Sequence, residues 1–131
     1  MRIKEASKSS GLSTDTIRYY EKEGLLPPIN RDRSGHRAFS LDNVQWMTVL
    51  YWLRKTGMPM RVMSRYAHLV HSGDHTIPQR VAILTEHRAL LAARRAELDR
   101  CEEILTYKLS AYEDAEKGLH HGDNTNQDLE R

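Results

Sequence analysis

The side chains with most chemistry to offer lie between Thr14 and Lys22. On a helix, Thr14, Arg18 and Lys22 recur every four residues and share a face, with Tyr19 at its edge. Hydroxyls, a guanidinium and an ammonium on one face suit the base edges and phosphate walls of a duplex groove. Ile17 and Tyr20 fall on a different stripe, flanked by Leu12 and Leu25, and would bury against a neighbouring helix. Periodicity alone also fits a solvated amphipathic surface helix. Farther along, Arg31, Arg33, His36 and Arg37 would decorate a small basic hairpin.

Three other groups of residues offer chemistry. His68, His71 and His75 have ligand-like spacing, but Gly73 interrupts them and no nearby cysteine completes a metal set. Cys101 is the one thiol; beside Leu98 it reads either as inert packing or as a redox group activated by Arg94, Arg95 and Arg100. Trp46, Met47, Tyr51, Trp52, Met58, Met60, Met63 and Tyr66 fit core packing better than a ligand pocket. No nucleophile–base constellation, phosphate-cradling glycine loop or paired carboxylates can be read. The expectation is a non-enzyme without catalytic residues, metal or cofactor.

Composition narrows the classes further. The chain has 131 residues, 29% of them charged, and one cysteine, which excludes an intrachain disulfide framework. No run approaches the ~20 apolar residues of a membrane span, and the N-terminus lacks a secretory apolar core. A cytoplasmic protein without a membrane partner is expected. Residues 1–65 hold 12 Lys/Arg against 6 Asp/Glu, whereas 66–131 hold 8 against 12. A basic front half suggests a polyanion-binding head, although an unevenly charged solvated surface has the same composition.

These side chains need elements to hold them. Ile3 to Ser10 predicts a first helix stopped by Gly11; Ser13 then caps a second helix reaching about Glu23. Two helices joined by a short glycine-containing turn match the helix-turn-helix plan. Pro27 and Pro28 end that run, and Ile29–Arg31 with His36–Phe39 could pair as short strands around Gly35. Ser40 caps a third helix that Gly57 stops, Met60 to His71 forms a fourth, and 71–75 reads as a loop. From Pro78 to Gly118 nothing breaks a long helix. On it Ile77, Leu84, Leu91, Leu98, Leu105, Tyr112 and Leu119 recur every seven residues. The second track of that repeat is mixed: Val81, Arg88, Arg95, Glu102 and Leu109. No other segment is long enough to cover the helix, so its partner would be a second copy, paired antiparallel.

The segment Thr16–Pro28 (TIRYYEKEGLLPP), then Gly35–Ser40 (GHRAFS) and Leu53–Met58 (LRKTGM), closely resembles the MerR family of bacterial transcription regulators. The resemblance implies a mainly α fold: a winged helix-turn-helix head with a small β-hairpin wing, a second helical pair, and a long antiparallel coiled-coil dimerisation helix. It assigns major-groove and phosphate contacts to Arg18 and Tyr19, a flanking backbone contact to Arg37, and another to Arg54. His36 and Phe39 stand where the family's wing carries tyrosines. Trp52 stands where the aldehyde- and electrophile-responsive subgroup carries a cysteine immediately before the Leu-Arg pair.

Together these readings predict residues 1–73 as the DNA-binding domain with helices three and four, 74–119 as the dimerisation helix, and 120–131 as a disordered tail. The DNA-contacting set is Thr14, Arg18, Tyr19, Lys22, Arg31, Arg33, His36, Arg37 and Arg54. The dimer seam is Leu84, Leu91, Leu98, Leu105 and Tyr112, with Cys101 a possible redox residue. The expected partners are double-stranded promoter DNA, a second copy, RNA polymerase and an unidentified small effector. The expected function is control of transcription by distorting a near-palindromic promoter site. An effector-independent architectural DNA-binding protein and a coiled-coil interaction module are the rival readings.

Overall fold

A computed structural model describes residues Met1–Gly118; Leu119 and the expected tail at 120–131 lie outside the described residues. The element order is α1 (Ile3–Ser10), α2 (Thr14–Lys22), α3 (Leu41–Lys55), α4 (Met60–Ser72), a short 3₁₀ turn (Asp74–Thr76) and α5 (Ile77–Glu116). The chain divides into two compact units, Met1–His87 and the residues from Arg88 onward.

Local chemistry sets the helix ends in the first unit. Gly11 closes α1 with φ of 92°, its N–H donating to the Ser7 carbonyl. A Cβ there would stand 2.9 Å from the Tyr51 ring, so backbone sign and close approach both demand glycine. Ser13 caps α2, its Oγ accepting the Thr16 N–H at 3.1 Å. Ser40 and Asn43 form a reciprocal capping box at the start of α3, at 2.9 and 3.0 Å.

α1 packs on α2 and α3, and α3 on α4. Ile17, Leu25, Met47, Leu50, Met58 and Met63 are the largest side chains fully buried between them. Trp46 stacks on Tyr66 with centroids 5.6 Å apart and donates its indole N–H to the Leu25 carbonyl at 2.7 Å. That bond ties α3 to the turn after α2. Core packing thus accounts for most of the aromatic and sulfur residues. Trp52 departs from it, being 56% exposed.

Two expectations are corrected. The predicted hairpin has no strands among the described residues, only one antiparallel bridge between Arg31 and Arg37. Two backbone bonds join its flanks, Asp32 N–H to the His36 carbonyl at 2.8 Å and Ala38 N–H to the Asn30 carbonyl at 2.7 Å. The Asp32 carboxylate accepts the Ser34 and His36 N–H groups at 2.9 and 3.0 Å, and Phe39 N–H donates to the Met1 carbonyl at 2.7 Å. The predicted loop at 71–75 is instead largely helical. α4 runs to Ser72, Gly73 turns the chain at φ of 112°, and the 3₁₀ turn leads directly into α5. Buried Thr76 places its Oγ1 2.6 Å from the Leu69 carbonyl, and Arg80 donates to Thr76 Oγ1 at 2.9 Å and to the Gly73 carbonyl at 2.5 Å.

Candidate nucleic-acid interface

α2 displays the residues chosen from its sequence on its open side. Ile17 and Tyr20 are buried, whereas Arg18, Tyr19 and Lys22 are exposed and Thr14 is half-buried. Arg18 places Nη1 3.3 Å from Asp15 Oδ1, which occupies only part of a guanidinium carrying five N–H donors. An exposed i,i+3 pair of this kind holds the side chain weakly and yields readily to a phosphate.

Two clefts flank α2 and hold six of the nine predicted residues between them; Thr14, Lys22 and Arg33 border neither. The first, of 170 Å³, is bordered by Arg2, Ile3, Arg18, Arg31, Gly35, His36 and Arg37. It gathers the guanidinium of α2 and the basic residues of the 31–37 turn around one cavity. Arg31 donates from Nη1 to the Gly35 carbonyl at 2.7 Å, bracing the turn. Arg37 is more enclosed, its Nε donating to Glu21 Oε1 at 2.6 Å with both side chains about three-quarters covered. That pair joins the turn to α2 and fixes the angle between them. Arg33 is exposed on the turn and does not border the cleft.

The second cleft, of 450 Å³, is bordered by Gly11, Leu12, Ser13, Thr16, Tyr19, Tyr20, Tyr51, Arg54 and Lys55. Here the end of α3 meets the turn between α1 and α2. Arg54 donates from Nη1 to the Met58 carbonyl at 3.2 Å and remains exposed. Burial raises the pKa of Tyr20, with the nearby Arg54 charge opposing the shift, so its hydroxyl stays protonated.

Arg2, Tyr51 and Lys55 belong to these clefts and were not among the predicted residues. Arg2 arrives because the N-terminal ammonium donates to the Phe39 carbonyl at 2.8 Å, a link across 38 positions. Lys55 had a visible signal in its adjacency to Arg54; Tyr51 had none. Asp32 organises the turn electrostatically. Its carboxyl is held below the ordinary carboxylate range, first by the His36 N–H, then by the Ser34 N–H and the Arg2 charge, against the effect of burial.

The predicted seam lies on α5. Leu98, Leu105 and Tyr112 are each more than half exposed, Leu84 is 37% exposed, and Leu91 is half-buried. Cys101 is an exposed free thiol. The histidines do not converge: His71 lies edge-on to Trp46 at 6.0 Å. No group of three or more His, Cys, Asp or Glu placed to hold a metal exists among the described residues. No helix among them is long and apolar enough to cross a membrane. His87, which sequence reasoning overlooked, is buried in the first unit with Nε2 2.7 Å from Thr56 Oγ1.

Two short helices joined by a tight turn at Gly11, with Arg18 and Lys22 exposed on the second, define a helix-turn-helix protein. Residues 1–68 match the model of the MerR HTH family of regulatory proteins. An uncharacterised HTH-type transcriptional regulator of Haemophilus influenzae is 37% identical over 85% of this chain and 82% of its own length. The HTH-type transcriptional regulator AdhR of Bacillus subtilis is 34% identical over 70% of this chain and 65% of its own. Among solved structures, HiNmlR, a MerR family regulator lacking the sensor domain and bound to promoter DNA, superposes with TM-score 0.82. It is 35% identical and covers 91% of each chain. The chain belongs to the MerR family of transcriptional regulators.

Proposed function

We propose that the protein binds a near-palindromic promoter site as a homodimer and controls transcription by distorting the DNA between its two heads. One observation carries this reading: Arg2, Arg18, Arg31, His36 and Arg37 border a single cleft beside the exposed face of α2. In this reading α2 enters the major groove with Thr14, Arg18, Tyr19 and Lys22. The 31–37 turn acts as a wing on the flanking backbone, with Arg31, Arg33, His36 and Arg37, although its strands reduce to one bridge. Arg54 meets a phosphate from the far side of α2. The half-exposed heptad leucines support self-association through α5. Residues 1–73 then serve as the DNA-binding domain and 74–119 as the dimerisation helix.

Two heads held at fixed spacing bind in register only by bending or untwisting the intervening duplex; phosphate contacts at both ends offset that cost. Repositioned promoter elements would be read by RNA polymerase, and a small effector acting on α4 or α5 would change the angle between the heads. A second reading, without an effector, draws support from similarity over 91% of each chain to a regulator described as lacking the sensor domain.

Titration of a near-palindromic promoter duplex at several salt concentrations tests the proposal. Affinity should fall linearly on logarithmic axes and exceed that for scrambled DNA by about 10³-fold or more at physiological salt. Equal affinity for both duplexes would reject specific regulation in favour of an architectural role.

A further inference from the structure

One carboxylate stands where a face turned to DNA has least use for it. Successive residues of a helix are rotated by about 100°, which sets Asp15 between Lys22 and Tyr19, inside the arc of Thr14, Arg18, Lys22 and Tyr19. Its side chain is 96% exposed, with Oδ1 3.3 Å from Arg18 Nη1. The neighbouring carboxylates are placed differently: Glu21 is largely covered and bound to Arg37, and Glu23 caps the far end of the helix. Asp15 lies in the first turn of α2. In helix-turn-helix docking the N-terminal residues of the second helix are the ones that reach base edges. An acidic residue in a first turn also suits the helix dipole, but that benefit is blind to DNA sequence.

We infer that Asp15 determines sequence preference, by accepting a hydrogen bond from the exocyclic amino group of a cytosine in each half-site. The inference rests on the docking of α2 in the major groove proposed above. Base edges in that groove offer only two kinds of donor, the cytosine N4 and adenine N6 amino groups. Adenine sets its acceptor N7 beside the donor, where it faces a carboxylate lone pair to lone pair, so cytosine is the better match. The guanine paired with that cytosine presents O6 and N7, two acceptors that suit a guanidinium. Asp15 and Arg18 stand close enough to address one base-pair edge together, carboxylate on cytosine and guanidinium on guanine. Where guanine or thymine takes the cytosine's place, the carboxylate meets only acceptors and a methyl group. Nothing there offsets its desolvation or its repulsion from the phosphates. Asp15 thus sharpens preference by penalising wrong sequences, at a cost in raw affinity.

Selection from a random pool of duplexes tests this without an operator in hand. The full chain, Asp15→Ala and Asp15→Asn each select from the same pool, and all three are titrated on the retained duplexes and on scrambled DNA. Half-sites kept by the unaltered chain should fix a G·C pair whose replacement weakens binding about 10-fold or more. Asp15→Ala should leave that pair open and bind scrambled DNA more tightly than the unaltered chain, since a repulsive charge is gone. Asp15→Asn should move the preference at that pair towards A·T, because an amide matches the N6 donor and N7 acceptor of adenine. Loss of a charge that merely stabilises the helix would instead weaken binding to all duplexes alike. Variant pools identical to that of the unaltered chain, or a uniform loss of affinity across sequences, would overturn the inference and leave DNA-binding regulation standing. An unaltered chain that selects no sequence would overturn the proposed function as well.

Discussion

The two units of this protein solve the problem of apolar surface in opposite ways. In Met1–His87 the apolar side chains turn inward: Met47, Leu50, Ile17 and Met63 are wholly shielded, and capped helices close around them. From Arg88 to Gly118 no hydrophobic side chain is buried among the described residues, although Leu98, Leu105, Leu109 and Tyr112 are prominent there. The first pattern belongs to a chain that completes its own core. The second belongs to a surface whose covering comes from elsewhere, because leucines at seven-residue spacing left in water contribute nothing to stability. In the proposed function, recognition of DNA and recognition of self rest on separate physical foundations, which substitutions should separate.

The largest effect is expected on the second unit. Leu98→Asp puts an unpaired charge into the proposed seam and should cost about 3–5 kcal/mol of association, enough to leave monomers at micromolar concentration in sedimentation. An unchanged dimer would show that the apolar stripe is not the seam. Met47→Ala acts on the first unit instead. Deleting this fully shielded side chain should lower unfolding stability by about 2–5 kcal/mol in urea denaturation. If instead it shifted the dimer equilibrium alone, the contrast between the units would fail.

Arg18→Ala touches neither core nor seam. It should weaken binding to the specific duplex by about 1–3 kcal/mol and leave the sedimentation coefficient of the free protein unaltered. Smaller again, Ser40→Ala removes one half of the capping box on α3 and should cost about 1 kcal/mol of thermal stability. The smallest effect concerns Asp32, whose folded pKa lies below its unfolded value. Its contribution is complete above the ordinary carboxylate pKa and lost as pH falls through the depressed one. Protection of the Ser34 and His36 amides, measured against their intrinsic exchange rates at each pH, should therefore fall on acidification below that ordinary value, ahead of protection in α2.

Much of the first unit was legible because its signals are local. Gly11, Ser13 and Ser40 act within three or four residues, so the limits of α1 to α3 follow almost directly from the letters. The exposed face of α2 followed from the same periodicity that buries Ile17 and Tyr20. What stayed hidden depends on distant partners. Glu21 gives no hint that it will hold Arg37 across 16 positions, nor Thr56 that it will meet His87 across 31. The strand reading failed for a related reason. A glycine turn between short apolar runs is a hairpin signal, and Asp32 and Ala38 do bond across it to His36 and Asn30, but the pairing stops at one bridge because the Asp32 carboxylate takes the His36 N–H and Met1 that of Phe39. Arg2 entered the basic cleft through that same N-terminal docking, which no motif near residue 2 announces.

The proposed mechanism requires two copies of α2 to meet one duplex at a separation fixed by α5. Hydroxyl-radical footprinting of the protein on a near-palindromic promoter fragment tests this most directly. Two protected tracts of equal strength, related by the dyad and both lost with Leu98→Asp, are the expected result. A single protected tract, or protection that survives loss of the dimer unchanged, would contradict it.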